Sequence, residues 1–186
     1  GFEDIVSVHE SDTTYDGQPD GHVRVAFGSK HPDKWHNITL VEGQQAGAPE
    51  DAAIGDLNGD GLPDIVVAAE LAHLIYLQNP GATVRTAPWP RLIIPGTRNR
   101  GSYIRVFLGD FNGDGRLDVT APNKGAQNPD PATTVRTPIS IFHHDGKPLD
   151  AGSWSSLVLG NYIVPQNAHT IDIDGDGDTD IIGGSR

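Results

Sequence analysis

The sequence predicts an all-β protein built from short antiparallel strands, and three observations support this prediction. The 186 residues include 23 Gly and 14 Pro, and the hydrophobic fraction of 36% contains no run long enough to span a membrane. Short apolar segments alternate with turn residues, and no segment has helical periodicity. A motif of the form Asp-x-Asn/Asp-x-Asp-Gly-x-x-Asp occurs three times. We therefore expect a repeated β architecture.

The closing part of this motif marks an internal repeat. Gly-Leu-Pro-Asp-Ile at residues 61–65 is matched at residues 115–119 and 177–181, and residues 1–5 form a fourth copy. The closing Asp recurs at intervals of 54 to 62 residues, which is typical of propellers and solenoids. The predicted units are residues 1–50, 51–101 and 102–165, with residues 166–186 starting a further one.

Each unit supplies the strands of a β-propeller blade, which has four antiparallel strands. The first unit has strands that start at Ile5 and that cover residues 22–27 and 37–41. The central unit has four, at residues 52–57, 64–69, 74–78 and 91–94. The third unit has four, at residues 104–108, 118–121, 139–143 and 155–159. We expect about three blades of a larger propeller of about seven blades, completed by missing blades of the same chain or by a partner copy.

The three motifs have the spacing of calcium-binding loops. Oxygen-bearing side chains fall at loop positions 1, 3, 5 and 9, and a backbone carbonyl at position 7 completes a set of hard oxygens that suits Ca²⁺. We expect about three Ca²⁺ per chain. The predicted ligands are Asp56, Asn58, Asp60, Leu62 and Asp64; Asp110, Asn112, Asp114, Arg116 and Asp118; and Asp172, Asp174, Asp176, Asp178 and Asp180.

Hairpin turns, EF-hands and Mg²⁺ sites fit these loops less well than calcium sites do. Asp-Gly and Asn-Gly pairs also make hairpin turns, but three copies at blade spacing favour metal binding. An EF-hand would need a bidentate Glu at position 12, and Mg²⁺ prefers a tighter octahedron. We expect Asp4 to correspond to the last ligand of a further loop whose first half is not in this sequence. Residues 12–20 resemble a further loop but lie off the repeat phase, so we interpret them as an exposed insertion or a weaker metal site.

On these loops the chain resembles the FG-GAP/VCBS family of calcium-loop propellers, which is related to the integrin α-chain head. The resemblance covers nearly the whole chain. It departs from the family pattern before the loops, where residues 53–55, 107–109 and 170–171 replace Phe-Gly. This departure is closer to the VCBS group of bacterial secreted proteins than to integrins. The resemblance therefore implies a secreted, periplasmic or cell-surface protein.

The ends of the strands opposite the calcium loops are predicted to hold a ligand. The sixth residue after each closing Asp is charged, and long variable connections lie at residues 9–21 and 123–138. Trp35, Trp89 and Trp154 recur at one place in each unit, which favours packing over sugar stacking. The candidate ligand-binding residues are Glu10, Glu70, Lys124, Arg98, Arg100, Tyr103 and His169.

Two classes of function remain open. The first is a non-catalytic module for cell adhesion or carbohydrate binding, which recognises a carbohydrate or protein ligand. The second is the propeller domain of a sugar-active lyase or dehydratase-isomerase, similar to rhamnogalacturonan lyase or aldos-2-ulose dehydratase. No catalytic residue is assigned, because hydrolase, kinase and dinucleotide-binding motifs are missing from the sequence. The net charge of −12 argues against nucleic acid, and the lack of Cys excludes disulfides and thiolate metal sites.

Overall fold

The computed structural model describes residues 2–10, 20–71 and 73–186 as an all-β chain. Helical structure in these residues is restricted to three short 3-10 turns at Gly43–Gln45, Gly81–Thr83 and Ala151–Ser153. Within the same residues, no helix has the length and apolar character needed to cross a bilayer. The prediction of an all-β protein is confirmed.

The first two sheets are antiparallel meanders in which neighbouring strands follow each other in sequence. The first sheet contains β1 (Ile5–His9), β2 (His22–Phe27) and β3 (His36–Glu42). The second contains β4 (Pro49–Gly55), β5 (Asp64–Ala69), β6 (His73–Leu77) and β7 (Arg91–Ile93). The four strands predicted for the central unit are therefore confirmed.

The third sheet repeats the four-stranded meander, and the fourth has two strands in the described residues. The third sheet contains β8 (Phe107–Gly109), β9 (Asp118–Pro122), β10 (Arg136–His144) and β11 (Trp154–Ile163). The fourth contains β12 (Pro165–Ile171) and β13 (Asp180–Ser185).

β8 is shorter than predicted, and β10 and β11 of the same sheet are longer than predicted. β8 begins at Phe107 because the amide of Val106 donates to the Asp51 carboxylate of the second sheet, at 3.1 Å, instead of to a neighbouring strand. An isolated bridge between Tyr103 and Asn123 precedes it. β11 runs to Ile163, since it pairs with β10 over the whole length of that strand.

The apolar core lies between successive sheets. Every residue of β5 is buried, and alternate side chains point to opposite faces of a strand. Ile65 and Val67 join the first sheet in one hydrophobic cluster, whereas Val66 and Ala68 join the third sheet in another. The second sheet is thus covered on both faces by its neighbours.

The strand registers define two ends for each sheet. At one end, Gly55 pairs with Asp64, and residues 56–63 connect the two strands. At the other end, Ala69 pairs with both Pro49 and His73. We call these the loop end and the opposite end. The corresponding connections of the third and fourth sheets, residues 110–117 and 172–179, join β8 to β9 and β12 to β13.

Candidate functional site

The three predicted metal loops share one hydrogen-bond network. In the first loop, Asp56 Oδ1 accepts from the amides of Gly59 and Asp60 at 2.8 and 3.1 Å, and Oδ2 accepts from Gly61 at 2.8 Å. The first carboxylates of the other loops, Asp110 and Asp172, accept loop amides in the same way. Each loop is therefore wrapped around its own first Asp.

Glycine is required at the sharp turns of these loops. Gly59 and Gly61 have φ values of 76° and 83°, and the equivalent glycines of the other two loops are also in the left-handed region. This conformation points successive amides inward and leaves the side chains at positions 3 and 5 on one side of the turn. Those amides also bond to the position-3 oxygen, as in the 3.0 Å contact between Asn58 Oδ1 and the Asp60 amide.

The closing Asp of each loop holds the loop onto the sheet. The Oδ2 atoms of Asp64, Asp118 and Asp180 accept from the backbone amides seven residues earlier, at 3.3, 3.2 and 3.0 Å. Asp64 also accepts from the Tyr76 hydroxyl and the Asn79 amide, both at 2.8 Å. Because Asp64 is fully buried, desolvation raises its carboxyl pKa despite these hydrogen bonds.

Asp118 has an oxygen that the described residues do not satisfy. Its Oδ2 lies 3.0 Å from His143 Nδ1, but Oδ1 is buried without a hydrogen-bond partner in the described chain. Burial raises the carboxyl pKa of Asp118, which a nearby cation would counteract by favouring the charged form. An unpaired buried carboxylate oxygen is a natural metal ligand, so this residue fits a cation in the second loop.

The third loop brings three carboxylates close together. One carboxylate oxygen each from Asp172, Asp174 and Asp176 lie within 4.8 Å of one another, and all three residues are exposed. Such spacing would let a single hard cation contact all three oxygens, and the charge of that cation would offset the mutual repulsion of the carboxylates. The residues present therefore fit Ca²⁺. The predicted ligands of all three loops, including the backbone carbonyls of Leu62, Arg116 and Asp178, stay predictions.

Comparison with known families places the first two loops in one repeat. Residues 56–121 match a family model described as an FG-GAP-like repeat, from the first ligand of the first loop into β9. This segment of the chain is similar to an FG-GAP-like repeat. No curated protein matches the chain at a significant level.

Within this FG-GAP-like repeat the two loops differ in local charge. In the second loop, Arg116 Nη2 lies 2.5 Å from Asp114 Oδ2, so one ligand carboxylate already has a cationic partner. In the first loop, the corresponding Asp60 Oδ2 accepts a hydrogen bond from the neutral side-chain amide of Asn58, at 3.0 Å. The Arg116 pair is partly exposed and therefore weak, but it would compete with any cation bound in this loop.

At the opposite end of the sheets, the structure brings together three of the predicted ligand residues. Glu70 and Lys124 are 2% and 7% exposed and form an ion pair between Oε1 and Nζ. Gln127 Nε2 donates to Glu70 Oε2 and to Glu10 Oε1, both at 3.0 Å. Carboxylate oxygens of Glu10, Glu50 and Glu70 lie within 4.8 Å of one another.

Sequence reasoning missed Glu50 and Gln127 in this cluster. Gln127 belongs to the long connection 123–138, which was expected to carry function, but nothing distinguished it from its neighbours. Arg186 occupies the homologous charged position in the last unit, yet it lies by the Asp130 carbonyl, at 3.5 Å, and not in the cluster.

The remaining predicted ligand residues are dispersed. Arg98 and Arg100 are exposed in the turn after β7, and the Arg100 carbonyl accepts from Asn123. Tyr103 is 4% exposed and belongs to the core between the second and third sheets, so it packs instead of facing solvent. His169 is exposed on β12, 5.8 Å from the Phe107 ring. Residues 12–19 of the off-phase loop lie outside the described residues.

The three tryptophans take up related positions. Each indole Nε1 donates to a carbonyl a few residues earlier in the chain: Trp35 to Pro32, Trp89 to Val84 and Trp154 to Pro148, at 2.9 to 3.1 Å. Trp89 is buried in a core cluster and Trp154 packs against one. Packing suits Trp89 and Trp154, whereas Trp35 is 39% exposed and belongs to neither cluster.

Proposed function

We propose that the protein is a calcium-binding FG-GAP/VCBS β-propeller module of a secreted or cell-surface protein. In this proposal each sheet is one blade of a larger propeller, and the three loops bind about three Ca²⁺ per chain. The observation that carries the proposal is the shared loop network, in which each first Asp accepts the loop amides and each closing Asp fastens the loop to its sheet.

Calcium has a structural role in this proposal. The loops connect the first two strands of their sheets and concentrate carboxylates that repel one another when no cation is bound. Binding to the folded loops stabilises the protein by mass action, by about 2.7 kcal/mol when the free ion is at a hundred times its dissociation constant. Bound calcium therefore holds each loop end in one conformation.

The opposite end is the proposed recognition face for a carbohydrate or protein ligand. Its residues are free of the calcium loops, and they include the polar cluster around Glu70 and the long connection 123–138. Function often concentrates on such connections above a rigid scaffold. In this arrangement calcium stiffens the blades while the opposite end selects the ligand.

The experiment is metal analysis of the purified chain by mass spectrometry, combined with thermal unfolding in Ca²⁺ and in EGTA. We expect about three calcium per chain and a lower melting temperature in EGTA. Asp176→Asn removes one exposed carboxylate of the third loop, so calcium should fall by about one per chain. The matched control is Asp33→Asn, which changes an exposed Asp outside the loops.

The results that would refute the proposal are clear. A chain free of calcium after gentle purification, with equal melting temperatures in Ca²⁺ and EGTA, contradicts calcium binding. Stoichiometric zinc or iron would instead favour the sugar-enzyme alternative. The recognition face is tested by a screen of immobilised glycans and proteins in Ca²⁺ and in EGTA, where no ligand in either condition counts against that half of the proposal.

A further inference from the structure

The first sheet has a free edge at β1. Among the described residues, β1 pairs with β2 alone, whereas the equivalent strands of the second and third sheets, β5 and β9, each lie between two neighbours. Asp4 precedes β1 as Asp64 begins β5, and the two are held alike. Asp4 Oδ1 accepts from the Gly28 amide and Asp64 Oδ1 from the Asn79 amide, both at 2.8 Å. The free edge of β1 therefore corresponds to the edge of β5 that β4 covers.

An open apolar pocket lies beside this edge, between the first and second sheets. It has a volume of about 380 Å³, and Val6 and Ile65 are among its lining residues. Their equivalents one sheet further along, counted from the closing Asp, are Val66 and Val119. These two belong to the cluster that buries Leu57 completely, and Leu57 is position 2 of the first loop. The pocket is therefore the place where the repeat puts an apolar residue of loop position 2.

The fourth sheet carries such a residue without cover. Ile173 is position 2 of the third loop and is 66% exposed, although Leu57 in the first loop is fully buried. The Ile173 amide donates to Asp180 Oδ2 at 3.0 Å, as the Leu57 amide donates to Asp64 Oδ2 at 3.3 Å. No described residue donates to Asp4 Oδ2, the equivalent atom at the free edge. The chain thus contains both an open pocket and an exposed residue that fits it.

The strand that pairs with β12 is poorly suited to its position. β13 contains Gly183 and Gly184, and its last four residues are exposed. Glycine weakens a strand, whereas the Ile-Val-Ser-Val-His segment of β1 is rich in β-branched residues. β1 also belongs to a three-stranded sheet, while β13 pairs with β12 alone in the described residues. A β1 strand therefore suits β12 better than β13 does.

The charge beside the pocket complements that of the third loop. Residues 172–178 of this loop include four Asp. Arg85 lines the pocket and is exposed, and its guanidinium lies 4.4 Å from the centre of the Phe27 ring. Within the described chain this guanidinium has no carboxylate partner. An acidic loop seated at the pocket would supply one.

We propose that a second copy of the chain covers this edge by strand exchange. β12 of one copy pairs with β1 of the other in place of β13, Ile173 enters the open pocket, and Asp4 replaces Asp180 as the closing Asp of the third loop. Each shared sheet then has four strands, as the second and third sheets do.

Reciprocal exchange closes a dimer. Two complete sheets from each copy and two shared sheets make six, within the range of about 4 to 8 blades in closed propellers. The inference rests on the proposed function in treating each sheet as a propeller blade. It also predicts that the third loop binds calcium across the two copies.

The first test uses single-cysteine variants, because the chain contains no Cys. Ala168 pairs with Gly183, and Ser7 is equivalent to Gly183 because both lie three residues after a closing Asp. Ser7→Cys and Ala168→Cys, unfolded together and refolded in Ca²⁺, should therefore form a disulfide-linked dimer. The matched control replaces Ser7→Cys by Thr39→Cys, which lies in the same cross-strand row but two strands away on β3. This control pair should give little covalent dimer.

The second test is analytical ultracentrifugation of the chain without cysteines. We expect twice the mass of one chain in Ca²⁺. Ile173→Ser should raise the dissociation constant of the dimer at least about tenfold by removing the side chain that fills the pocket. Gly184→Thr should raise it at least about fivefold by strengthening β13, since a Cβ there meets no atom closer than 3.8 Å. Val135→Ser, at a 68% exposed residue outside the third loop, should leave it unchanged.

A chain that stays monomeric at its highest soluble concentration overturns the inference. So does a dimer in which Ser7→Cys and Ala168→Cys form no more disulfide than the control pair. A monomer that holds about three calcium would remove this inference alone. A dimer with the expected disulfide but without calcium would support the exchange and refute the calcium proposal.

Discussion

The hydrogen bond from Tyr76 to Asp64 gives a direct measure of how firmly the first loop is held. Both residues are fully buried, and the hydroxyl donates to Asp64 Oδ2 at 2.8 Å. Tyr76→Phe removes this donor and leaves Oδ2 with the longer 3.3 Å bond from the Leu57 amide. A buried charged acceptor that loses one donor destabilises the fold by about 1.5 to 3 kcal/mol.

This loss should be visible in chemical and thermal unfolding. For a chain of this size, the predicted change corresponds to a melting temperature lower by about 3 to 12 °C. The matched control is Tyr162→Phe, because that hydroxyl makes no hydrogen bond in the described structure and the residue is 40% exposed. The control should change the free energy of unfolding by less than about 0.5 kcal/mol. Equal effects of the two substitutions would refute the reasoning.

Three further predictions follow from the backbone, the buried ion pair and a buried imidazole. Gly61→Ala should destabilise the protein by about 1 kcal/mol because φ at this position is 83°, and Gly61→Asn should cost less because Asn tolerates the left-handed region better. A larger loss of unfolding free energy in urea for the Asn variant than for the Ala variant would contradict this. Lys124→Met should cost about 3 to 5 kcal/mol, because it leaves the Glu70 carboxylate buried with the neutral Gln127 donor but without its cationic partner. Adding Glu70→Gln should recover part of this cost, and urea unfolding with no recovery would argue against the pair. Because the pKa of His73 is lowered in the folded protein, the unfolded chain binds a proton first as the pH falls through 6.5, so the free energy of unfolding should decrease from pH 7 to about 5. His73→Gln should flatten this pH profile of stability. A profile that the substitution leaves unchanged would contradict the burial of the ring.

The local parts of the fold follow from the sequence. Residues 64–69 form the strand that the pattern predicts, because a closing Asp and an apolar run follow directly on a Gly-rich loop. The predicted loop ligands are similarly local, since their positions within nine residues set the geometry of each loop. These features need no knowledge of how the sheets pack.

Contacts between distant residues could not be predicted in this way. The hydrogen bond from Gln127 to Glu10 spans 117 residues and exists only because successive sheets stack. The bond from Tyr76 to Asp64 depends on the register that pairs Val66 with Tyr76. Tyr103 was expected on a ligand face, but the bridge to Asn123 turns it into the core.

The complete burial of β5 has a consequence for how such a chain can change in evolution. A sheet with apolar side chains on both faces has no solvent side, so it cannot survive alone or at the end of an array without new polar residues. Each face is matched to a different neighbour. The interface between two neighbouring sheets is therefore what must be kept when the number of repeats changes. A repeat can be gained or lost only where the sheet faces that become neighbours already pack together.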